Sequence, residues 1–364
     1  MFINKIKLQN FRNFKQNEFI FNSRVVVIEG KNGSGKTSLL ESLYYTCFLK
    51  SFRTHQRKDL ITINDNYFFT QLDFDDEFKI PNQIQIGLSA KDGKLVKFNK
   101  NPITSYKQIL SQYKVISIAE DDLSLVQGAP EERRTFLNQF QMLLELEFIK
   151  ILKEYKQILQ QRNELIFNSK NLSLHEKGEF YIWSKQLWEK TIIIQKQRID
   201  YLKKLEKEVN NLLVKYLEKE NLSISFKYKS KKIDLTKTFD EFWNKYPEKI
   251  KDEELRWGRS MFGAHLDDFL ITFQEKKARA FASRGQQKLI LFLLKIAQLM
   301  ELQKTGKNAI LLIDDFLTDF DENRLNNCLN IIQKINSQIF ITCPLISFIS
   351  SNFSNKIKYQ IISL

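Results

Sequence analysis

The segment Gly30-Lys31-Asn32-Gly33-Ser34-Gly35-Lys36-Thr37 has the residue types and spacing of a loop that cradles phosphates. Glycines at 33 and 35 let the backbone turn so that successive N–H groups face one anion, and a helix opening just beyond adds the positive end of its dipole. Lys36 then reaches the β- and γ-phosphates of a nucleotide as a catalytic cation, and the Thr37 hydroxyl holds Mg²⁺. A second pair closes the hydrophobic run Ala309-Ile310-Leu311-Leu312-Ile313, which ends in Asp314-Asp315. Adjacent carboxylates at a strand end can divide the work, Asp314 as metal ligand and Asp315 as the catalytic group that orients water. A helix N-cap is the other role open to Asp315. A third element, Ser283-Arg284-Gly285-Gln286-Gln287, precedes an apolar helical stretch about thirty residues before the aspartates; alone, it reads as a helix cap followed by glycine.

These residues need elements to hold them. The β-branched run from Val25 to Ile28 predicts a strand buried on both faces, and Ser38 to Leu49 carries apolar residues at helical spacing. Further strands are expected at Ile6–Gln9, Glu18–Phe21, Tyr67–Phe74, Ile84–Leu88, Lys94–Phe98 and Val115–Ile118, with a turn at Asp92-Gly93. Two long helices are expected over 131–167 and 177–218, separated by a break at NSKNLS, and then a strand at Leu222–Tyr228 and a charged linker. The chain returns as strand 269–273, helix 285–303, strand 309–313, helix 322–335 and strand 338–342, an alternation that implies a parallel α/β core assembled from both chain ends.

A chain of 364 residues with 43% hydrophobic content can bury a sizeable core, and its formal charge of +14 attracts polyanions such as nucleic acid or an anionic membrane surface. A compositional bias toward Lys and Phe is the bland explanation of that charge. Two acid-free stretches argue for local patches instead: KSFRTHQRK from Lys50 and KKARAFASRGQQK from Lys276. Cys47, Cys328 and Cys343 stand in apolar contexts without metal-like spacing, and read as core residues of a reduced, cytoplasmic protein. No signal-peptide core and no membrane-length apolar run is seen, so no membrane association is expected.

The elements IKLQNFRNF, NGSGKTSLLESLYY, KSFRT, EDDLSLVQGAPEERRTFLN, QRNELI, GAHLDDF, SRGQQKL and LLIDDFLTDFD follow one another from about Ile6 to Asp321. In this order they resemble the RecF family of bacterial recombination mediators, ABC-type ATPases related to SMC and Rad50. The resemblance implies an α/β fold: an ATPase head with a mixed sheet core built from both chain ends and an inserted helical lobe. It divides the chain into a first ATPase part at 1–118, a helical lobe with the signature sequence at 119–302, and a second ATPase part at 303–364. It also implies ATP and Mg²⁺ as cofactors, an ATP-dependent homodimer, and binding to single-stranded, gapped or junction DNA. RecR and RecO are the implied partners, with RecA loading as the outcome. Ser283, Arg284, Gly285 and Gln286 would meet, in trans, the γ-phosphate held by the other subunit; Arg12 and Asn13 would lie near nucleotide, and Asp319 and Asp321 at the dimer interface.

Four departures from the family pattern bear on mechanism. Asp315 stands where ABC ATPases place glutamate, and Thr342 stands near the place of a histidine they carry after the next strand, which together predict slow hydrolysis. Glu120-Asp121-Asp122 replaces a Pro-Glu-Asp run, and Ala264 a proline. His265, Asp267 and Asp268 could be imagined as metal ligands, but so close on one strand they point to alternate faces, and a structural or lobe-coupling role is expected. Arg133 and Arg134 are candidates for phosphate or interdomain pairing. A transporter ATPase subunit shares the loop and the acidic pair but not the FRN start or the helical insertion, and a chromosome-organising head needs longer helices than these.

Overall fold

Val25–Glu29 is the strand from which the phosphate loop springs, and Val25 to Ile28 are all buried. It pairs in parallel with Ile339–Cys343 on one side and Tyr359–Ser363 on the other, and the sheet continues through Ile310–Ile313 to Val115–Ile118. All its ladders are parallel, and its strands come from both chain ends, as the alternation implies. In the computed structural model, which describes residues 1–89, 91, 93–105, 107–168, 178–217, 222–246, 248–344 and 358–364, a second sheet is antiparallel. It runs in the order Phe14–Ile20, Phe2–Phe11, Tyr67–Asp75, Pro81–Ser89, Gly93–Phe98, Asn101–Pro102. The expected turn residue Asp92 lies outside the described residues, as does most of the NSKNLS break.

The helix Lys36–Phe48 departs from the expected one-sided pattern, because every residue in it except Thr37 is buried. Two of its polar residues are satisfied from within: Ser42 Oγ donates to Leu39 O at 2.6 Å and Thr46 Oγ1 to Leu43 O at 2.7 Å. The three cysteines are buried, as expected, and burial pushes the Cys47 thiol up.

The chain divides into two compact units: Met1–Leu123 with Asn211–Leu222 and Ser283–Leu364, and Ser124–Asn210 with Ser223–Ala282. This differs from the expected boundary in one functional respect. The helix Arg284–Lys304, expected in the helical lobe, belongs with the unit that holds the Gly30–Thr37 loop, because residues 287 to 299 are buried there and Lys288 and Lys295 pair with Glu120 and Asp122 of the same unit. The Glu120–Leu123 turn goes with it.

In the second unit the expected helix over 131–167 is two helices, Pro130–Leu144 and Phe148–Asn168. The break falls at Glu145, whose backbone is extended (φ −134, ψ 104), and side-chain periodicity carries through it because both helices turn apolar faces inward. Glu179–Leu217 is one continuous helix of 39 residues, ~58 Å at 1.5 Å per residue, of which the residues to Asn210 belong to this unit and those from Asn211 to the first. The charged linker is not featureless; it forms the helices Phe239–Asn244 and Glu248–Trp257, the first closed by a capping box of Thr238 and Glu241. A small antiparallel sheet, Lys276–Lys277, Asp268–Phe273, Ile224–Lys229, completes the unit. Among the described residues no helix is long and apolar enough to cross a membrane.

Candidate nucleotide site

The loop is shaped by its glycines. Gly35 caps the Lys36–Phe48 helix at φ +114, and a Cβ there would sit 2.5 Å from Asn13 Nδ2 and 2.8 Å from Phe14 Cζ. Only glycine fits both the conformation and the space. Lys36 Nζ curls into the loop and donates to Gly30 O at 2.6 Å and Lys31 O at 3.2 Å, so the ammonium is fixed inside the turn by the backbone around it. The Ser34 Oγ is buried and has no hydrogen-bond partner among the described residues, a polar group that a phosphate oxygen would satisfy.

The aspartates meet this loop. Thr37 Oγ1 donates to Asp314 Oδ1 at 3.0 Å, and Thr342 Oγ1 donates to the same oxygen at 2.9 Å. Burial raises the Asp314 carboxyl above its ordinary value, against the two hydroxyls that favour its charge; Asp315 adds to the rise. A cation here would remove that penalty. Thr37 and Asp314 are both hard oxygen donors, the set Mg²⁺ takes when phosphates and waters complete its shell, and among the described residues no cluster of three His, Cys, Asp or Glu offers a dedicated metal cage. The pair therefore fits the metal. Asp315 lies at φ +46, a conformation uncommon for a non-glycine residue, with its N–H bonded to Thr342 Oγ1 at 2.8 Å. The next turn, Leu317–Asp319, is capped by Phe316, so Asp315 is not its N-cap.

Arg12 and Asn13 form the tight turn between the first two strands. Asn13 Nδ2 donates to Ser34 O at 3.0 Å. Arg12 makes a two-pronged bond to the fully buried Glu41 carboxylate, Nε to Oε2 and Nη2 to Oε1, each 2.7 Å. Ser51 Oγ also donates to Glu41, and Arg53 lies 3.7 Å from it. A cavity of about 560 Å³ opens here, lined by Arg12, Asn13, Gly33 to Thr37 in part, Arg53, Ile61 to Ile63 and Asp315. Glu41 and the Ile61–Ile63 wall were not among the sequence candidates. Glu41 reads as one more polar residue in a helix, and only the fold brings Arg12 to it.

Ser283 is exposed and caps its own helix, accepting from Gln286 N at 3.3 Å, while Gln286 Oε1 accepts from Ser283 N at 2.8 Å. Arg284 pairs with Glu120, as does the buried Lys288 at 2.6 Å, and Lys295 with Asp122 at 3.1 Å. The substituted acidic run thus anchors the signature helix. Asp321 caps Glu322–Lys334 by accepting from Arg324 N; the Asp319 side chain lies outside the described residues.

In the second unit, Arg133 is spent internally on Asp268, with Nε to Oδ1 at 2.7 Å and Nη2 to Oδ2 at 3.1 Å, and Arg134 on the carbonyl of Asp267 at 2.9 Å. His265 bonds Tyr155 Oη through Nδ1 at 2.7 Å, and burial lowers its pKa to about 4, so it stays neutral. Asp267 accepts from Gln195, Tyr228 and the Lys231 N–H. The three side chains serve different partners, and no metal constellation forms.

The RecF/RecN/SMC N-terminal domain family matches residues 2–357. The DNA replication and repair protein RecF of Acholeplasma laidlawii is 32% identical over 94% of this chain and 93% of its own, and that of Pediococcus pentosaceus 31% over 98% and 96%. This chain belongs to the RecF family. Its fold is that of the solved recombination mediator protein RecF with ATP, at TM-score 0.82 and 24% identity over 94% of this chain and 92% of that one. An Smc head domain of Pyrococcus furiosus is a more distant likeness, at TM-score 0.56 and 15% identity over 96% and 92%. The family's ABC-type head and inserted long helix are therefore the architecture described above.

Proposed function

We propose that the chain is an ATP-dependent DNA-binding protein of replication, recombinational repair and SOS induction, and that it works as a slow ATP switch. The observation that carries this is the three-way junction at Asp314 Oδ1, where Thr37 of the phosphate loop and Thr342 of the neighbouring strand both donate. It ties a phosphate cradle to a metal-competent carboxylate. Gly30 to Thr37 bind the triphosphate, with Lys36 held within the loop and Arg12 and Asn13 walling the cavity. Mg²⁺ held by Thr37 and Asp314 would neutralise charge on the phosphates. Asp315 orients water, and its short side chain on a backbone pinned by Thr342 supports slow turnover.

The exposed Ser283-Arg284-Gly285 turn supports a role in trans: the N-terminus of a 21-residue helix presents N–H groups and positive dipole to a γ-phosphate held by a second copy. ATP then joins two protomers, and hydrolysis releases them. Single-stranded or gapped DNA is the substrate class, RecR and RecO are the partners, and recombinase loading is the outcome. Membership of the RecF family supports these assignments.

Solution mass measured with Mg²⁺ and ATP or ADP tests the switch. The native chain is expected to dimerise in ATP alone, Lys36→Ala to bind no nucleotide, and Ser283→Arg to bind ATP as a monomer. A native chain that remains monomeric at saturating ATP would refute it.

A further inference from the structure

The acid-free stretch from Lys276 is not one patch in the folded chain. Lys288 is buried against Glu120 and Arg284 also pairs there, which removes both from service. Lys276, Lys277 and Arg279 are left, exposed, on and just after the edge strand of the small sheet. Across that sheet the register sets Lys277 opposite Thr272, Thr272 opposite Ser225, and Leu270 opposite Lys227. Side chains directly opposite share a face. Ser225, Lys227 and Lys229 are exposed and alternate with the more buried Ile224, Phe226 and Tyr228, so one face of the sheet is buried and the other carries Lys227, Lys229 and Lys277.

The charge on this face is uncompensated. Its carboxylate Asp268 is bound on both oxygens by Arg133; of two further nearby acids, Glu275 sits in the tight turn beside the edge strand and Glu206 accepts the Phe226 N–H at the opposite edge. None of the three lysines is in an ion pair among the described residues. At ~3.3 Å per residue and ~4.8 Å between strands, Lys227 lies about 7 Å from Lys229 and about 12 Å from Lys277, and Lys229 about 16 Å from Lys277, a row of like charge that gains from a polyanion. Just past the edge strand, Phe281 is 66% exposed, with Lys276 Nζ 5.6 Å from its ring centre; Lys276 stands opposite Phe273, so this pair belongs to the free edge and not to the lysine face itself. An exposed ring beside a cation offers a platform on which an unpaired base can stack.

We propose that the outer face of this sheet, continued round its free edge, is a binding site for single-stranded DNA, with Lys227, Lys229 and Lys277 on phosphates and Phe281 at the edge against a base. It rests on the DNA-binding reading above and adds where the strand lies. Phosphate contacts release counterions, so each lost contact lowers the slope of log affinity against log salt by ~0.7 on a single strand. The phosphate-loop residues are untouched by these substitutions.

The test is fluorescence anisotropy with a labelled single-stranded oligonucleotide and a blunt duplex, over a salt series, for the native chain, Lys227→Ala/Lys229→Ala/Lys277→Ala and Phe281→Ala. The triple variant is expected to lose ~2 from its salt slope. Phe281→Ala should weaken single-strand binding roughly tenfold and leave duplex binding within twofold. Lys227→Arg/Lys229→Arg/Lys277→Arg should restore the native slope, which a fold defect would not allow. A native chain that binds neither DNA overturns both this site and the broader reading. If the native chain binds and the triple variant keeps its slope and affinity, the site alone is overturned. Equal losses on both DNAs with Phe281→Ala overturn the stacking assignment.

Discussion

Replacing Glu41 with glutamine isolates the buried charge behind the nucleotide cavity. The carboxylate has no exposure, and it accepts two bonds of 2.7 Å from Arg12 as well as Ser51 Oγ. Hydrogen bonds to charged groups contribute ~1.5–3 kcal/mol each. Glutamine keeps one acceptor oxygen but turns an NH₂ toward a guanidinium donor, so about one charged bond is lost and one repulsive contact made. Removing one partner of a buried pair costs ~3–5 kcal/mol. The Arg12 side chain is 19% exposed and can recover some hydration, which places the cost at the lower end, ~3 kcal/mol. Amide hydrogen exchange reads this locally: protection of the Lys36–Phe48 helix should fall by roughly 100-fold, since ~1.4 kcal/mol is a factor of ten. Nucleotide affinity should fall with it, because Arg12 walls the cavity. The double substitution Arg12→Met/Glu41→Gln should cost less than the sum of the singles. Exchange within threefold of native, with unchanged ATP affinity, would show that this pair does not hold the site.

Three further outcomes are expected. Asp315→Asn should slow ATP hydrolysis by ~10²–10⁴ while ATP-dependent dimerisation persists, measured by phosphate release and solution mass on the same sample. Glu254→Gln should destabilise the second unit by ~3–5 kcal/mol, because Glu254 and Arg162 are both fully buried and Arg162 is clamped between the Phe180 and Phe262 rings; urea unfolding followed by tryptophan fluorescence reads it. All four tryptophans, Trp183, Trp188, Trp243 and Trp257, lie in that unit. The same probe tests His265: its folded pKa of about 4 lies below the ordinary 6.5, so the unfolded chain binds more protons between those values. Stability conferred by the neutral ring is full above pH ~6.5 and lost as pH falls toward 4, by on the order of 3 kcal/mol. Asp267, whose carboxyl burial raises, acts in the opposite direction, so the comparison is native against His265→Gln: only the native chain should carry the extra acid sensitivity.

The phosphate loop, the paired aspartates and the signature cap were legible because each is written in contiguous residues whose local conformation does the chemistry. Ser283 and Gln286 close the capping box that S-x-x-Q spacing permits, and Val25 to Ile28 form a doubly buried strand. What escaped was written across distance. Glu41 and Arg12 are 29 residues apart, and nothing in either neighbourhood signals the other. The division at Glu145 escaped because a helix break needs no glycine or proline when the backbone simply extends. The strand Tyr359–Ser363 escaped because five residues give too few alternations to tell from coil. The membership of the signature helix also needed the fold, since its acidic anchors precede it by more than 160 residues.

The helix behind the phosphate loop is buried at every residue but Thr37, with Ser42 and Thr46 tied to its own carbonyls and Glu41 to Arg12. Such an element is an anvil: it can receive a ligand without yielding, because any displacement would open voids along its whole length. On the proposed reading, signals from nucleotide would leave through the exposed rim, Ile63 and the solvent-facing Ser283 turn. Random mutagenesis should accordingly return misfolded or heat-labile chains from the anvil and altered-regulation chains from the rim.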